Sequence, residues 1–186
     1  MIVAQGRIPD DWRSSILLPV FKGKGDPMEC GSYRAIKLLE HAMKMIEHVF
    51  KRTNREKVTI DAMKFGFIPG KGTTNAIFTV RRMQEKYGCK GKKLYFVFVD
   101  LEKACDRVPR EVTRWVLRKA GVEEWLVKAV MAMYEGAQTV VRTTEGDSKA
   151  FNAKVGLHQG SVLSPLLFVV VMEIITRVAS RITVCR

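Results

Sequence analysis

The sequence predicts an α+β fold. Three observations carry that expectation: short apolar runs sized for strands, longer stretches with the apolar spacing of helices, and no regular βαβ alternation between them. The chain has 186 residues, 47% hydrophobic and 27% charged, which suits a packed core and excludes a disordered or collagen-like polypeptide. No apolar run reaches the ~20 residues of a membrane-spanning helix; the longest are Leu94–Leu101 and Leu163–Met172. Met1-Ile2-Val3-Ala4-Gln5 lacks the basic-then-apolar order of a secretory signal, so an intracellular chain, in nucleus or cytoplasm, is expected.

The elements follow in order. Ile16-Leu17-Leu18-Pro19-Val20-Phe21 reads as a short buried strand, and Lys22-Gly23-Lys24-Gly25-Asp26-Pro27 as a basic turn-rich loop. Tyr33–Leu38 alternates as a strand does. Apolar residues at 39, 42, 43, 46, 49 and 50 predict an amphipathic helix over about Leu39–Arg52. Gly66–Gly72 is a loop, and Thr73 or Thr74 is placed to cap a helix reaching about Tyr87. Leu94-Tyr95-Phe96-Val97-Phe98-Val99 is the strongest strand signal, and its unbroken apolar run predicts a central strand covered on both faces. Helices are expected over Pro109–Ala120 and Glu123–Tyr134. A hairpin is expected from Gln138–Thr143 and Ala150–Val155 around Glu145-Gly146-Asp147. Ser164-Pro165 then starts a helix running to about Ala179.

The formal charge of +13 is uneven: residues 1–93 carry 19 basic and 9 acidic side chains, residues 94–186 carry 13 and 10. A positive half of this kind suits a polyanion such as nucleic acid, or simply a solvated basic surface. Cys30, Cys89, Cys105 and Cys185 form no zinc spacing with one another or with His41, His48 and His158. Scattered free thiols fit a reducing compartment.

Four segments could carry chemistry. Asp100 directly follows the apolar run 95–99, so the predicted strand would hold its charge beside a dry interior. Such a carboxylate either caps a turn or pairs with Lys103, or it binds Mg²⁺, which takes one or two carboxylates together with substrate phosphates. The glycine–lysine loops at 22–25 and 66–72 both fail the P-loop pattern but could lie over a phosphate. Gly156-Leu157-His158-Gln159-Gly160-Ser161-Val162-Leu163-Ser164-Pro165 places a Gln-Gly pair before an apolar helix, which ordinary capping does not explain.

Taken in order, these segments resemble the reverse transcriptase domain of non-LTR (LINE-type) retrotransposons. The likeness runs over about residues 6–176. It is carried by Trp12-Arg13, Pro19-Val20-Phe21-Lys22-Gly23-Lys24-Gly25-Asp26 and Ser32-Tyr33-Arg34-Ala35-Ile36-Lys37-Leu38-Leu39, by Phe65-Gly66-Phe67 with Gly70-Lys71-Gly72-Thr73-Thr74 and Asn75-Ala76-Ile77, by Phe98-Val99-Asp100-Leu101-Glu102-Lys103-Ala104-Cys105-Asp106-Arg107-Val108-Pro109, and by Gly156–Phe168. The resemblance implies right-hand polymerase fingers over residues 1–93 and an incomplete palm over 94–186, an antiparallel sheet packed on helices.

It also implies roles. Asp100 and the backbone carbonyl of Leu101 would bind Mg²⁺, or Mn²⁺ in its place, for two-metal nucleotidyl transfer. Lys22, Lys24 and Arg34 would clamp the incoming triphosphate. Cys105 would lie under the sugar, Gln159 and Gly160 would line the nucleotide pocket, and Asp106 would support the turn. The implied partners are an RNA template, a DNA primer and deoxynucleoside triphosphates, with no membrane. Two departures stand out. Cys105 occupies a position where the family carries a bulky aromatic, and the family's Tyr-Ala-Asp-Asp hairpin and thumb do not occur before Arg186. The chain is therefore expected to be catalytically incomplete, to hold metal only weakly, and to leave an edge of the 94–101 strand unpaired, with poor solubility. The alternatives are a non-catalytic nucleic-acid-binding protein, or a translated remnant without function.

Overall fold

A computed structural model describes residues 8–183, with side chains to Val178. The sequence features at Val184-Cys185-Arg186 and before Ile8 lie outside the described residues. Strand β1 (Ser14–Phe21) runs antiparallel to β2 (Tyr33–Leu39) along its whole length. It pairs with β3 (Gln138–Thr143) in parallel over Ser14–Leu17 only. Two residues further on, Pro19 has no N–H to offer a second neighbour, which suits a stretch of strand with one partner. The parallel pair is pinned by the Ser15 hydroxyl, which donates to the Gln138 carbonyl at 2.7 Å and lies 3.2 Å from the Thr139 hydroxyl.

The expected hairpin turn is present, but its second arm is broken into β4 (Gly146–Asp147) and β5 (Phe151–Asn152), both antiparallel to β3. Ser148 explains the break. Its side chain accepts the Val141 N–H at 3.0 Å and donates to the Lys149 carbonyl, taking the arm out of the ladder. The sheet order is β2-β1-β3-β4, with β5 beside β3.

Five helices complete the described chain: α1 (His41–Lys57), α2 (Thr73–Gly88), α3 (Arg110–Lys119), α4 (Glu124–Ala132) and α5 (Ser164–Thr183). Val116 and Leu117 of α3, Leu126 and Val130 of α4, Leu166, Leu167 and Val170 of α5 and Met43 and Phe50 of α1 meet in one core. Each such side chain contributes roughly 1.5–3 kcal/mol by leaving water. The core draws on residues from Ile8 to Ile174, so it joins the first third of the chain to the last. Helix α2 starts differently from the expectation: Gly72 occupies the cap position, and the Asn75 side chain accepts the Gly72 N–H at 2.9 Å. None of its residues is buried, and Ile77 and Phe78 stand in solvent.

The main correction concerns residues 94–101. They form no strand, and Val97 and Phe98 are 88% and 84% exposed where a covered central strand was expected. β-propensity marks a segment that fits a sheet but supplies no partner for its N–H and C=O groups. Among the described residues no strand pairs with this segment. Phe96 and Phe98 stack on each other at 6.2 Å instead.

Candidate functional site

Two distant segments meet at one place. The turn over Lys103–Val108 includes a short 3-10 helix, Cys105–Arg107, and the loop at 156–163 leads into α5. The backbone N–H groups of Gly156 and Leu157 donate to the carbonyls of Val108 and Cys105 at 3.0 and 2.9 Å. The Gln159 side-chain amide donates to the Asp106 carboxylate at 2.7 Å. Glycine is required for that approach: Gly156 has φ +90°, and a Cβ there would sit 2.5 Å from the Asp106 carbonyl oxygen.

The same loop docks on the edge strand β2. The Lys37 N–H donates to the Gln159 carbonyl at 2.9 Å, and Gly160, at φ +99°, lies where a Cβ would meet the Lys37 carbonyl oxygen at 2.4 Å. β2 alternates cleanly, with Lys37 and Leu39 buried and Arg34, Ile36 and Leu38 outward. Arg34 is exposed, and it stands opposite Val20 in the ladder. Lys22 and Lys24 lie on the loop joining β1 to β2. The Lys22 ammonium folds back onto the Gly31 carbonyl at 2.7 Å, while Lys24 and Arg34 have no ion pair among the described residues.

Beneath the loop lies a buried polar cluster. His158 packs its ring 4.5 Å from that of Tyr134. Burial, with Lys37 and Arg110 nearby, pushes its pKa down to about 3. Lys37 is 5% exposed, its ammonium has no hydrogen-bond partner, and burial with Arg110 lowers it to about 8. Burial raises Tyr134 to about 12. Lys37, Glu47 and His158 share the lining of a cavity of about 10 Å³ with Trp12, Arg13 and Met43. The motifs in the sequence include neither Glu47 nor Tyr134, and Lys37 falls within the fingers pattern with no role assigned to it. Their signals were positional: Lys37 falls on the inward parity of β2, and Glu47 on the apolar stripe of α1 between Met43 and Phe50.

Asp100 is placed otherwise than expected. It is exposed rather than set against a dry interior, because the segment before it is not a covered strand. It lines an open groove of about 400 Å³ with Leu101, Glu102, Arg107 and, from α5, Phe168, Met172 and Ile175. Gln159 and Gly160 are not among the residues of that groove. Cys105 is half-buried, and burial, then Asp106, raises its thiol. The structure thus brings together Asp106, Gln159, Gly160 and the backbone of β2, while Asp100 and Leu101 face a neighbouring groove.

Residues 22–186 match the reverse transcriptase (RNA-dependent DNA polymerase) family. The chain belongs to that family. Similar proteins include the retrovirus-related Pol polyprotein from type-1 retrotransposable element R2 of Nasonia vitripennis, 25% identical over 179 residues, covering 95% of this chain and 17% of that protein. The probable RNA-directed DNA polymerase from transposon BS of Drosophila melanogaster is 28% identical over 171 residues (86% and 18%). The RNA-directed DNA polymerase from mobile element jockey of Drosophila funebris is 26% identical over 171 residues (90% and 19%). This reverse transcriptase domain fragment, of the non-LTR retrotransposon type its motifs resemble, spans less than a fifth of the length of these relatives.

The family uses divalent metal, and the donor set of the reverse transcriptase fragment can be tested against that need. Asp100 offers one carboxylate and Leu101 a carbonyl, while Glu102 is engaged by Arg107 at 3.5 Å. No group of three or more His, Cys, Asp or Glu suited to a metal ion occurs among the described residues. The described residues alone do not fit a two-metal centre. Among them, no helix is long and apolar enough to cross a membrane.

Proposed function

We propose that this chain forms the fingers-like part (1–93) and an incomplete palm-like part (94–186) of a retrotransposon RNA-directed DNA polymerase. Its surface around Gln159, Gly160 and Arg34 receives a deoxynucleoside triphosphate opposite an RNA template and a DNA primer. The observation that carries this reading is the docking of the 156–163 loop on the 103–108 turn and on β2. Two segments some 50 residues apart in sequence are held there by backbone and side-chain hydrogen bonds. A loop fastened to the turn and to β2 offers a rigid floor, and its glycines let both of them approach its backbone closely.

In this reading Lys22, Lys24 and Arg34 attract phosphate. Arg34 serves by its forked donors, Asp106 orients Gln159, and Cys105 lies near the sugar. Asp100, with the Leu101 carbonyl, contributes one ligand to a divalent ion, Mg²⁺ or Mn²⁺. The ion's remaining carboxylates lie beyond the described donor set, and the Tyr-Ala-Asp-Asp motif does not occur in the sequence. The 186-residue chain by itself is therefore expected to bind nucleic acid without extending a primer.

The test is titration of an RNA–DNA duplex at several salt concentrations with wild type and Arg34→Ala. Wild type is expected to bind in a salt-dependent way. Loss of one phosphate contact reduces the slope of log affinity against log salt by about one. Binding insensitive to both salt and Arg34, or primer extension by the purified chain, overturns the reading.

A further inference from the structure

We propose that Glu47, on α1 and outside every motif that carries the family resemblance, is the positioning residue that holds the Gln159–Gly160 loop in its nucleotide-binding geometry. This rests on the nucleotide reading of that loop given above.

The carboxylate is 1% exposed, a costly place for a charge unless its oxygens are satisfied. It lies against the segment that starts α5, where backbone N–H groups lack intrahelical partners. One oxygen accepts the Ser161 hydroxyl at 2.6 Å, and the other accepts the Val162 N–H at 2.8 Å. The Ser161 oxygen in turn accepts the N–H groups of Leu163 and Ser164, each at 3.2 Å. Four donors at the start of α5 are thus met by a chain of two acceptors that begins on α1, 114 residues earlier in sequence.

The donor inventory makes the residue type specific. Ser161 receives two N–H groups, so its single proton is committed outward, and its partner must be an acceptor. Val162 presents a second donor to the other carboxylate oxygen. A partner that accepts at both oxygens at once is a carboxylate, whose pKa burial raises while the Ser161 and Val162 hydrogen bonds hold it down; an amide offers one acceptor and sets its NH₂ against a donor. The attachments of Gly156 to Val108, of Leu157 to Cys105 and of Gln159 to Asp106 and to Lys37 all lie before Gly160. After it come the two short hydrogen bonds to Glu47 and a longer contact, 3.5 Å, between the Tyr134 and Ser164 hydroxyls. With both ends held, Gln159 and Gly160 sit on a span that cannot slide along β2.

The test compares wild type, Glu47→Gln and Ser161→Ala by amide hydrogen exchange and by titration with Mg²⁺·dTTP in the presence of an RNA–DNA duplex. In Glu47→Gln the amides of Val162, Leu163 and Ser164 are expected to exchange at least about tenfold faster, with those of Val116 and Val130 unchanged. Affinity for Mg²⁺·dTTP is expected to fall about tenfold at unchanged duplex affinity, a split that general destabilisation does not produce. Ser161→Ala keeps the carboxylate and removes the relay, so the same direction at smaller size is expected; it decides the matter if Glu47→Gln does not fold. Unchanged loop exchange in both variants overturns the proposal, as does a loosened loop with nucleotide affinity intact. A wild-type chain that binds no Mg²⁺·dTTP overturns the nucleotide reading and Glu47's part in it, and the exchange data then report separately on the anchor.

Discussion

Replacing Lys37 by methionine tests the energetic account of the cluster under the loop. The Lys37 ammonium is enclosed, unpartnered and lowered to about 8 from 10.5 by burial and by Arg110. The unfolded chain therefore binds a proton that the folded chain releases between about pH 8 and 10.5, and stability rises with pH through that window. At pH 7 the full difference applies, and at 1.36 kcal/mol per pH unit it is about 3 kcal/mol. Methionine has nearly the same reach, keeps the backbone N–H that holds Gln159, and carries no charge into the cavity. Lys37→Met is thus expected to be more stable than wild type by about 3 kcal/mol at pH 7, or about 6–12 °C in Tm for a chain of this size. By pH 10 the gap is expected to shrink to about 1 kcal/mol, because there most of the folded-state cost has vanished. Urea denaturation followed by tryptophan fluorescence at both pH values measures it. A destabilised variant, or a gain independent of pH, would refute the picture of Lys37 as an enclosed, uncompensated charge.

Three further outcomes follow from the same geometry. His158 is lowered from 6.5 to about 3, first by burial and then by Lys37 and Arg110, so stability is expected to fall as pH drops through that interval, by about 3 kcal/mol at pH 4. His158→Phe should flatten this acid limb in a series of thermal melts from pH 7 to 4, and an unchanged limb would speak against the assignment. Gly160→Ala forces a Cβ onto the Lys37 carbonyl at positive φ and is expected to cost roughly 1–3 kcal/mol; a melting temperature equal to wild type would contradict the close approach. Phe98→Lys alters a side chain already in solvent, so it is expected to reduce self-association in sedimentation while changing stability by less than about 0.5 kcal/mol. A loss of several kcal/mol would mean that Phe98 is covered in solution.

Much of the local structure was legible in the residues, because local structure is what periodicity records. Helix α1 lies close to its apolar spacing, α3 and α4 flank Gly121, and Ser164-Pro165 opens α5. β1 and β2 fall where alternation and apolar content place them. The hairpin was readable only to its turn, since the second arm depends on where the Ser148 side chain bonds. Leu94–Val99, the strongest strand signal of all, gained no ladder: its composition is a statement about the surface it suits, and a strand exists only where another takes its hydrogen bonds.

The site divides along the same line. Motif order along the chain was enough to reach the family, and with it Asp100, Asp106, Arg34, Gln159 and Gly160 as residues of interest, because those are properties of sequence alone. That Gln159 bonds Asp106 while Asp100 faces a separate groove is a matter of how the chain packs. So is the burial of Glu47 and Lys37, which read as ordinary members of an amphipathic helix and an alternating strand. Periodicity tells which face of an element turns inward. Which donor or acceptor waits there is set by segments more than a hundred residues away, and only the tertiary fold brings them within hydrogen-bond distance.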